Sequence, residues 1–92
     1  MTSSTIKFRV SNNQVSSNLS GSTVILNHRD GFYYELNEVG TAIWEQLKLN
    51  GTTIGELKKL ILNEFDVDEQ TVESDINKIL GELLNEKLVE VI

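Results

Sequence analysis

Between Gly31 and Leu47, in the run GFYYELNEVGTAIWEQL, the hydrophobic pattern changes period once, and that change limits the folds open to this chain. Phe32-Tyr33-Tyr34-Glu35-Leu36 reads as an aromatic strand entered from an Asp30-Gly31 turn, because aromatic side chains favour a pleated, half-buried surface. Asn37 ends the strand. Its side-chain carbonyl can accept a free backbone N–H at the start of a helix, and Glu38 suits the helix's positive end. Val39, Ile43 and Leu47 then recur every four residues, with Ala42 and Trp44 beside them, which predicts a helix with one buried face.

The rest of the chain frames that unit. Met1–Thr5 is small and polar and reads as a frayed terminus. Ile6-Lys7-Phe8-Arg9-Val10 alternates apolar and charged residues, the period of a strand with one face on the core. Ser11–Ser22 is rich in serine and asparagine and predicts an irregular connection, with a short strand near Val15 as the alternative. Thr23–Asn27 is the second strand, and Arg29-Asp30-Gly31 turns it back into the aromatic one. A three-residue loop with Gly31 left-handed sets Leu26 opposite Tyr34 and Val24 opposite Leu36, which keeps apolar side chains together. On that register Val24, Leu26, Phe32, Tyr34 and Leu36 face the helices, and Ile25, Tyr33 and Glu35 lie on the reverse face.

The first helix runs from about Glu38 to Leu49 and closes at Asn50-Gly51. Gly40 sits in its first turn, where glycine costs up to ~1 kcal/mol relative to alanine, so a close approach of another backbone is expected there. Thr53-x-x-Glu56 is a capping box that opens a second helix with Ile54, Leu57, Leu60, Ile61 and Phe65 as its buried stripe and Lys58, Lys59 and Glu64 in water. Asp68 caps a third helix whose apolar positions are Val72, Ile76, Ile79, Leu80, Leu83 and Leu84, ending near Glu86. Leu88–Ile92 is rich in β-branched residues and predicts a terminal extended segment, with docking as a strand on the sheet one outcome. Strands leading three short helices make a single α+β domain over residues 1–92, winged helix-turn-helix-like, with a three-stranded antiparallel sheet followed by a three-helix bundle.

The order Tyr34-x-Leu36-Asn37-x-x-Gly40-x-x-Ile43-Trp44, then Gly51-Thr52 and a late Asp75 ahead of a leucine-rich helix, resembles the PqqD family of peptide-binding modules, also called RiPP recognition elements. The resemblance spans about Val24 to Leu88. It implies that the aromatic strand lies at the border of the sheet and that the leader segment of a ribosomally made precursor peptide adds beside it, in the cleft against the third helix. On that basis the leader-binding residues are Phe32, Tyr33, Tyr34, Glu35 and Leu36 on the strand and Asp75, Ile79, Glu82 and Leu83 on the helix, with Ile76 and Leu80 behind them in the core. Leu36, Ile43 and Trp44 fit the packing stripe and read as core, whereas a phenol such as Tyr34 suits a groove lip. Family members serve radical enzymes that make redox cofactors, and stand-alone relatives serve leader peptidases in lasso peptide clusters. The implied partner is therefore a modifying enzyme: a radical enzyme, a cyclase or a leader peptidase. The chain departs from the family at Lys87, where a small residue often precedes the last apolar pair.

The chemistry of the side chains points away from catalysis. Nucleophilic hydrolysis needs a base beside a hydroxyl or thiol, yet the one histidine, His28, falls on a hairpin tip with Arg29 and there is no cysteine. A lone histidine makes no metal site, no glycine-rich phosphate loop exists, and no cofactor is implied. Carboxylate pairs such as Asp66/Asp68 and Glu73/Asp75 read as caps and solvated faces. Absence of cysteine and of any long apolar run predicts a soluble cytoplasmic protein with no membrane contact, and a monomer is the expected state of so small a domain. A winged-helix DNA-binding regulator is the main rival, and a structural subunit of an enzyme complex is the second. With a net charge of −6, and with Asp68, Glu69, Glu73, Asp75, Glu82 and Glu86 against Lys78 and Lys87 around the third helix, nucleic acid is not the expected partner.

Overall fold

A computed structural model describes residues 6–12, 14–29 and 31–92. Among the described residues eight elements follow in order: β1 (Phe8–Val10), β2 (Gln14–Leu19), β3 (Ser22–Asn27), β4 (Phe32–Leu36), α1 (Glu38–Asn50), α2 (Ile54–Glu64), α3 (Glu69–Asn85) and β5 (Val89–Val91). Strands β2, β3 and β4 form an antiparallel sheet in that spatial order, and β1 pairs with β5, also antiparallel, in a second sheet. The α+β class, with a three-stranded sheet followed by three helices, is the one the sequence predicts. The expected frayed terminus Met1–Thr5 and the Asp30 half of the turn lie outside the described residues.

The strands that build the sheet differ from expectation. The Ser11–Ser22 stretch, read as an irregular connection, contains β2, a full six-residue strand joined to β3 through Ser20 and Gly21. Both turn residues have positive φ, 54° and 91°, the arrangement that matches the twist of a two-residue hairpin. The alternation went unseen because β2 turns its apolar Val15 outward and its polar Ser16 inward. Ser16 accepts a hydrogen bond from Trp44 Nε1 at 3.1 Å, so the core here asks for an oxygen and not a methyl group. The Ile6–Val10 strand is shorter than predicted. It belongs with β5, in the register Phe8 opposite Val91 and Val10 opposite Val89, and Thr52 closes its other side through a reciprocal backbone pair with Phe8 at 2.8 and 2.9 Å.

The β3–β4 register is shifted by one residue from the expected one. Leu26 lies opposite Tyr33, Ile25 opposite Tyr34 and Thr23 opposite Leu36. A slip of one residue exchanges the faces of a strand. Thr23, Ile25 and Asn27 therefore face the helices, while Val24 and Leu26 lie on the reverse face. The loop holds four residues, 28–31, and is drawn in by Gly31 N–H donating to Asn27 O at 2.9 Å and Arg29 N–H donating to Asn27 Oδ1 at 3.0 Å. Keeping apolar groups together was the wrong criterion because the two polar residues that replace them are satisfied. Thr23 Oγ1 donates to Thr41 Oγ1 at 2.9 Å, and Asn27 Nδ2 donates to Glu86 O at 2.9 Å.

The helices follow their caps. Asn37 Oδ1 accepts from Gly40 N–H at 2.9 Å, Thr53 and Glu56 form the full capping box, and Asp68 Oδ1 accepts from Thr71 N–H at 2.8 Å. The core joins Ile25 and Leu36 of the sheet to Ile43, Trp44 and Leu47 of α1, Leu57 and Ile61 of α2, and Val72, Ile76, Leu80 and Leu83 of α3, with Phe8, Leu88 and Val89 from the terminal pair. Two local expectations are corrected. A Cβ on Gly40 would stand 2.9 Å from Leu36 Cδ2 and 3.0 Å from Leu36 Cβ, so the close neighbour is a side chain and not another backbone. Lys58 does not simply face water: its Nζ lies 2.8 Å from Glu69 and 3.0 Å from Glu73, linking α2 to α3.

The end of α3 explains Lys87. Leu88 N–H donates to Leu83 O at 2.9 Å and Lys87 N–H to Leu84 O at 3.1 Å, the paired bonds of a helix stop whose pivot residue is left-handed. Lys87 is that pivot, with φ 60°. Glycine, which has no Cβ, takes that conformation more easily than lysine.

Candidate functional site

Strand β4 is one of the two outer strands of the sheet, with β3 on one side. Among the described residues no strand pairs with its other edge, so a row of backbone N–H and C=O groups is left for a further strand. A cleft of about 520 Å³ runs beside that edge, between β4 and α3. From the strand side and its turn into α1 come Tyr34, Glu35, Leu36, Asn37 and Val39, with Ser22 of β3 at one end. From α3 come Asp75, Lys78, Ile79 and Glu82. Leu36, Val39 and Ile79 make an apolar floor, and Glu35, Asp75, Glu82 and Lys78 make a charged rim.

Local structure fixes each wall. Asn37 ends β4 and opens α1, whose first turn brings Val39 to the cleft, and Gly40 leaves the space that the Leu36 side chain fills. On α3 the residues 75, 79 and 82 form one helical row, four and then three apart. Tyr34 reaches across from β4 and its phenol donates a hydrogen bond to the Glu82 carboxylate. Burial, this hydrogen bond, and the charges of Glu82 and Glu86 all push the phenol's ionisation above its ordinary value of 10.0. Tyr34 is therefore a neutral donor at any physiological pH.

Of the residues expected to bind a leader, Tyr34, Glu35, Leu36, Asp75, Ile79 and Glu82 are gathered in this cleft. Phe32 and Tyr33 are not. They border a smaller hollow of about 170 Å³, with Asn27, Tyr34, Glu86 and Leu88, and the two residues are 60% and 71% exposed. Leu83 is a correction. It is 0% exposed and belongs to the core row with Ile76 and Leu80, seven and three positions earlier, rather than to the cleft row. Ile76, Leu80, Ile43 and Trp44 are core as expected, and Leu36 is both core and cleft floor. Val39 and Lys78 were missed. Lys78 stands three residues after Asp75 and four before Glu82, a spacing that puts it on the same face.

His28 is exposed at the hairpin tip, and no group of three or more His, Cys, Asp or Glu placed to hold a metal ion occurs among the described residues. No helix of the described residues is long and apolar enough to cross a membrane. The acidic face of α3 is partly committed to structure, since Glu69 and Glu73 hold Lys58.

The sequence profile described as Coenzyme PQQ synthesis protein D (PqqD) matches residues 22–89, from β3 into β5 and through every residue lining the cleft. The chain belongs to the PqqD family. Strands β1 and β2 precede the PqqD match. Among solved structures the fold is similar to that of TbiB1 in complex with the TbiA(beta) leader peptide, at 33% identity and a TM-score of 0.80 over 89% of this chain and 94% of that one. It is also similar to lasso peptide synthetase B1 complexed with the leader peptide, at 23% identity and a TM-score of 0.76 over 90% of this chain and 96% of that one, a likeness of fold. No curated protein sequence matches the chain significantly.

Proposed function

We propose that this PqqD-family chain binds the leader segment of a ribosomally synthesised precursor peptide as a strand added to β4, and presents it to a modifying enzyme without performing chemistry itself. The observation that carries the reading is the unpaired edge of β4 beside an open, apolar-floored cleft. The similarity to TbiB1, solved with a leader peptide, supports the same use. Backbone pairing alone is too weak. About four or five edge hydrogen bonds at ~0.5–1.5 kcal/mol each fall short of the ~8 kcal/mol that micromolar binding requires. Side chains seated on Leu36, Val39 and Ile79, and polar groups meeting Tyr34, Asp75 and Glu82, supply the remainder.

In this role the domain is a passive scaffold: it raises the concentration of a precursor at a radical enzyme, a cyclase or a leader peptidase. It acts as a monomer in the cytoplasm, where precursors are made. The test is fluorescence polarisation with labelled leader peptides encoded beside the gene, combined with amide chemical-shift mapping. Micromolar or tighter binding with shifts in β4 and in the Asp75–Glu82 turns of α3 is expected. Saturable binding that leaves β4 unmoved would refute the strand-addition reading.

A further inference from the structure

The seam between β4 and the end of α3 is divided in two. Tyr34 borders both the larger cleft and the smaller hollow, and its hydrogen bond to Glu82 spans the gap between them. The compartments differ in chemistry. In the hollow the Asn27 amide is already engaged by Glu86 O, and Phe32 and Leu88, beside the rings of Tyr33 and Tyr34, offer an apolar seat. Phe32 is 60% exposed, an aromatic that the domain's own packing does not use. The larger compartment has an apolar floor, and its rim sets three carboxylates, Glu35, Asp75 and Glu82, against one ammonium, Lys78. None of these four is in an ion pair with another described residue.

A strand added to β4 points every second side chain into this seam, at the levels of Phe32, Tyr34 and Leu36. The outer two of these levels are four residues, ~13 Å, apart. Granting the strand-addition reading, we infer that the bound segment is read at two positions four residues apart: an apolar side chain over Phe32 and Leu88, and a lysine or arginine over Leu36 and Ile79. The basic residue lays its methylene stem on the apolar floor and brings its charge to the carboxylate rim. Between them, over the Tyr34–Glu82 bridge, sits a small residue. The ligand class is thus a cationic amphipathic strand, and an acidic segment is rejected by like charge.

The experiment is a selection of random peptides displayed on phage against the intact protein, followed by polarisation with fluorescein-labelled synthetic peptides of the enriched sequence. The selected peptides should carry an apolar and a basic residue four apart. Exchanging the basic residue for glutamate should weaken binding at least about tenfold. Asp75→Asn, which keeps the shape of the side chain, should narrow that lysine-over-glutamate ratio several-fold, with the amide spectrum reporting that the fold is kept. Peptides that shift β4 resonances but show no preference in spacing or sign overturn this inference and leave strand addition standing. If no selected peptide perturbs β4, strand addition falls and this inference with it.

Discussion

Trp44 and Ser16 are joined by a hydrogen bond of 3.1 Å from the indole Nε1–H to the serine hydroxyl, and it ties the most polar strand of the sheet to the centre of the core. Trp44 is 0% exposed, so its one polar atom depends on that partner. Ser16→Ala should cost about 1–3 kcal/mol, the penalty for leaving a buried donor unmet. Urea denaturation followed by tryptophan fluorescence measures it. A loss no larger than that of Ser17→Ala, which lies on the exposed side of β2, would show that water replaces the hydroxyl without penalty.

Gly40 and Leu36 set the floor of the cleft together. Alanine at position 40 gains helix propensity worth up to ~1 kcal/mol, but its Cβ would sit 2.9 Å from Leu36 Cδ2 and 3.0 Å from Leu36 Cβ. Overpacking of that kind costs about 1–3 kcal/mol, so Gly40→Ala should be destabilising on balance. Because Leu36 must move, leader affinity should fall as well. A stabilised variant with unchanged affinity would contradict the packing described here.

Lys87 holds a left-handed conformation at φ 60°, which for a non-glycine residue costs roughly 1–2 kcal/mol. Glycine removes that strain and loses about 0.5–1 kcal/mol of unfolded-state entropy in exchange. Lys87→Gly should therefore raise stability by roughly 0.5–1 kcal/mol, read as a higher urea midpoint with an unchanged slope. The helix stop itself should persist, since its bonds are between backbone groups.

Replacing Tyr34 by alanine should weaken leader binding about tenfold or more, through loss of an aromatic wall of the cleft. Asp75→Arg should weaken it by a similar factor, by reversing charge on the rim. Circular dichroism should be unaltered in both. Tyr34→Phe separates the ring from the hydrogen bond to Glu82, and its affinity shows which of the two the ligand uses. Polarisation curves that superimpose on wild type for both Tyr34→Ala and Asp75→Arg would remove the cleft from consideration.

Two helix starts make stability depend on acid. The Thr53 backbone N–H and the Thr52 hydroxyl hold the Glu56 carboxyl below its ordinary 4.5, and the Thr71 backbone N–H holds Asp68 below 3.8. A depressed folded value means that the contribution is complete above those ordinary values and is lost as pH falls through the folded ones. The thermal midpoint should drop below about pH 4.5. Glu56→Gln should start lower and show a shallower decline. A decline of wild-type steepness in that variant would mean that other carboxylates dominate the acid limb.

What could be read from sequence was the local part. The turn from β4 into α1, the three N-caps and the helical stripes are written in neighbouring residues, so Asn37, the Thr53–Glu56 box and the row of Asp75, Ile79 and Glu82 were all legible. What escaped depends on distant partners. Nothing next to Ser16 says that an indole 28 positions later needs an oxygen, and so β2 looked like a loop. Thr23 and Asn27 are buried because Thr41 and Glu86 receive them, which inverted the facing of β3. Leu83 stands one residue past the cleft row and belongs to the core row, a difference of about 100° around the helix that an apolar stripe does not resolve.

The pairing of β1 with β5 brings the two flanks of the domain within one strand spacing, ~4.8 Å, of each other. The chain therefore enters the fold at β1 and leaves it at β5 side by side, and neither strand belongs to the sheet whose border is β4.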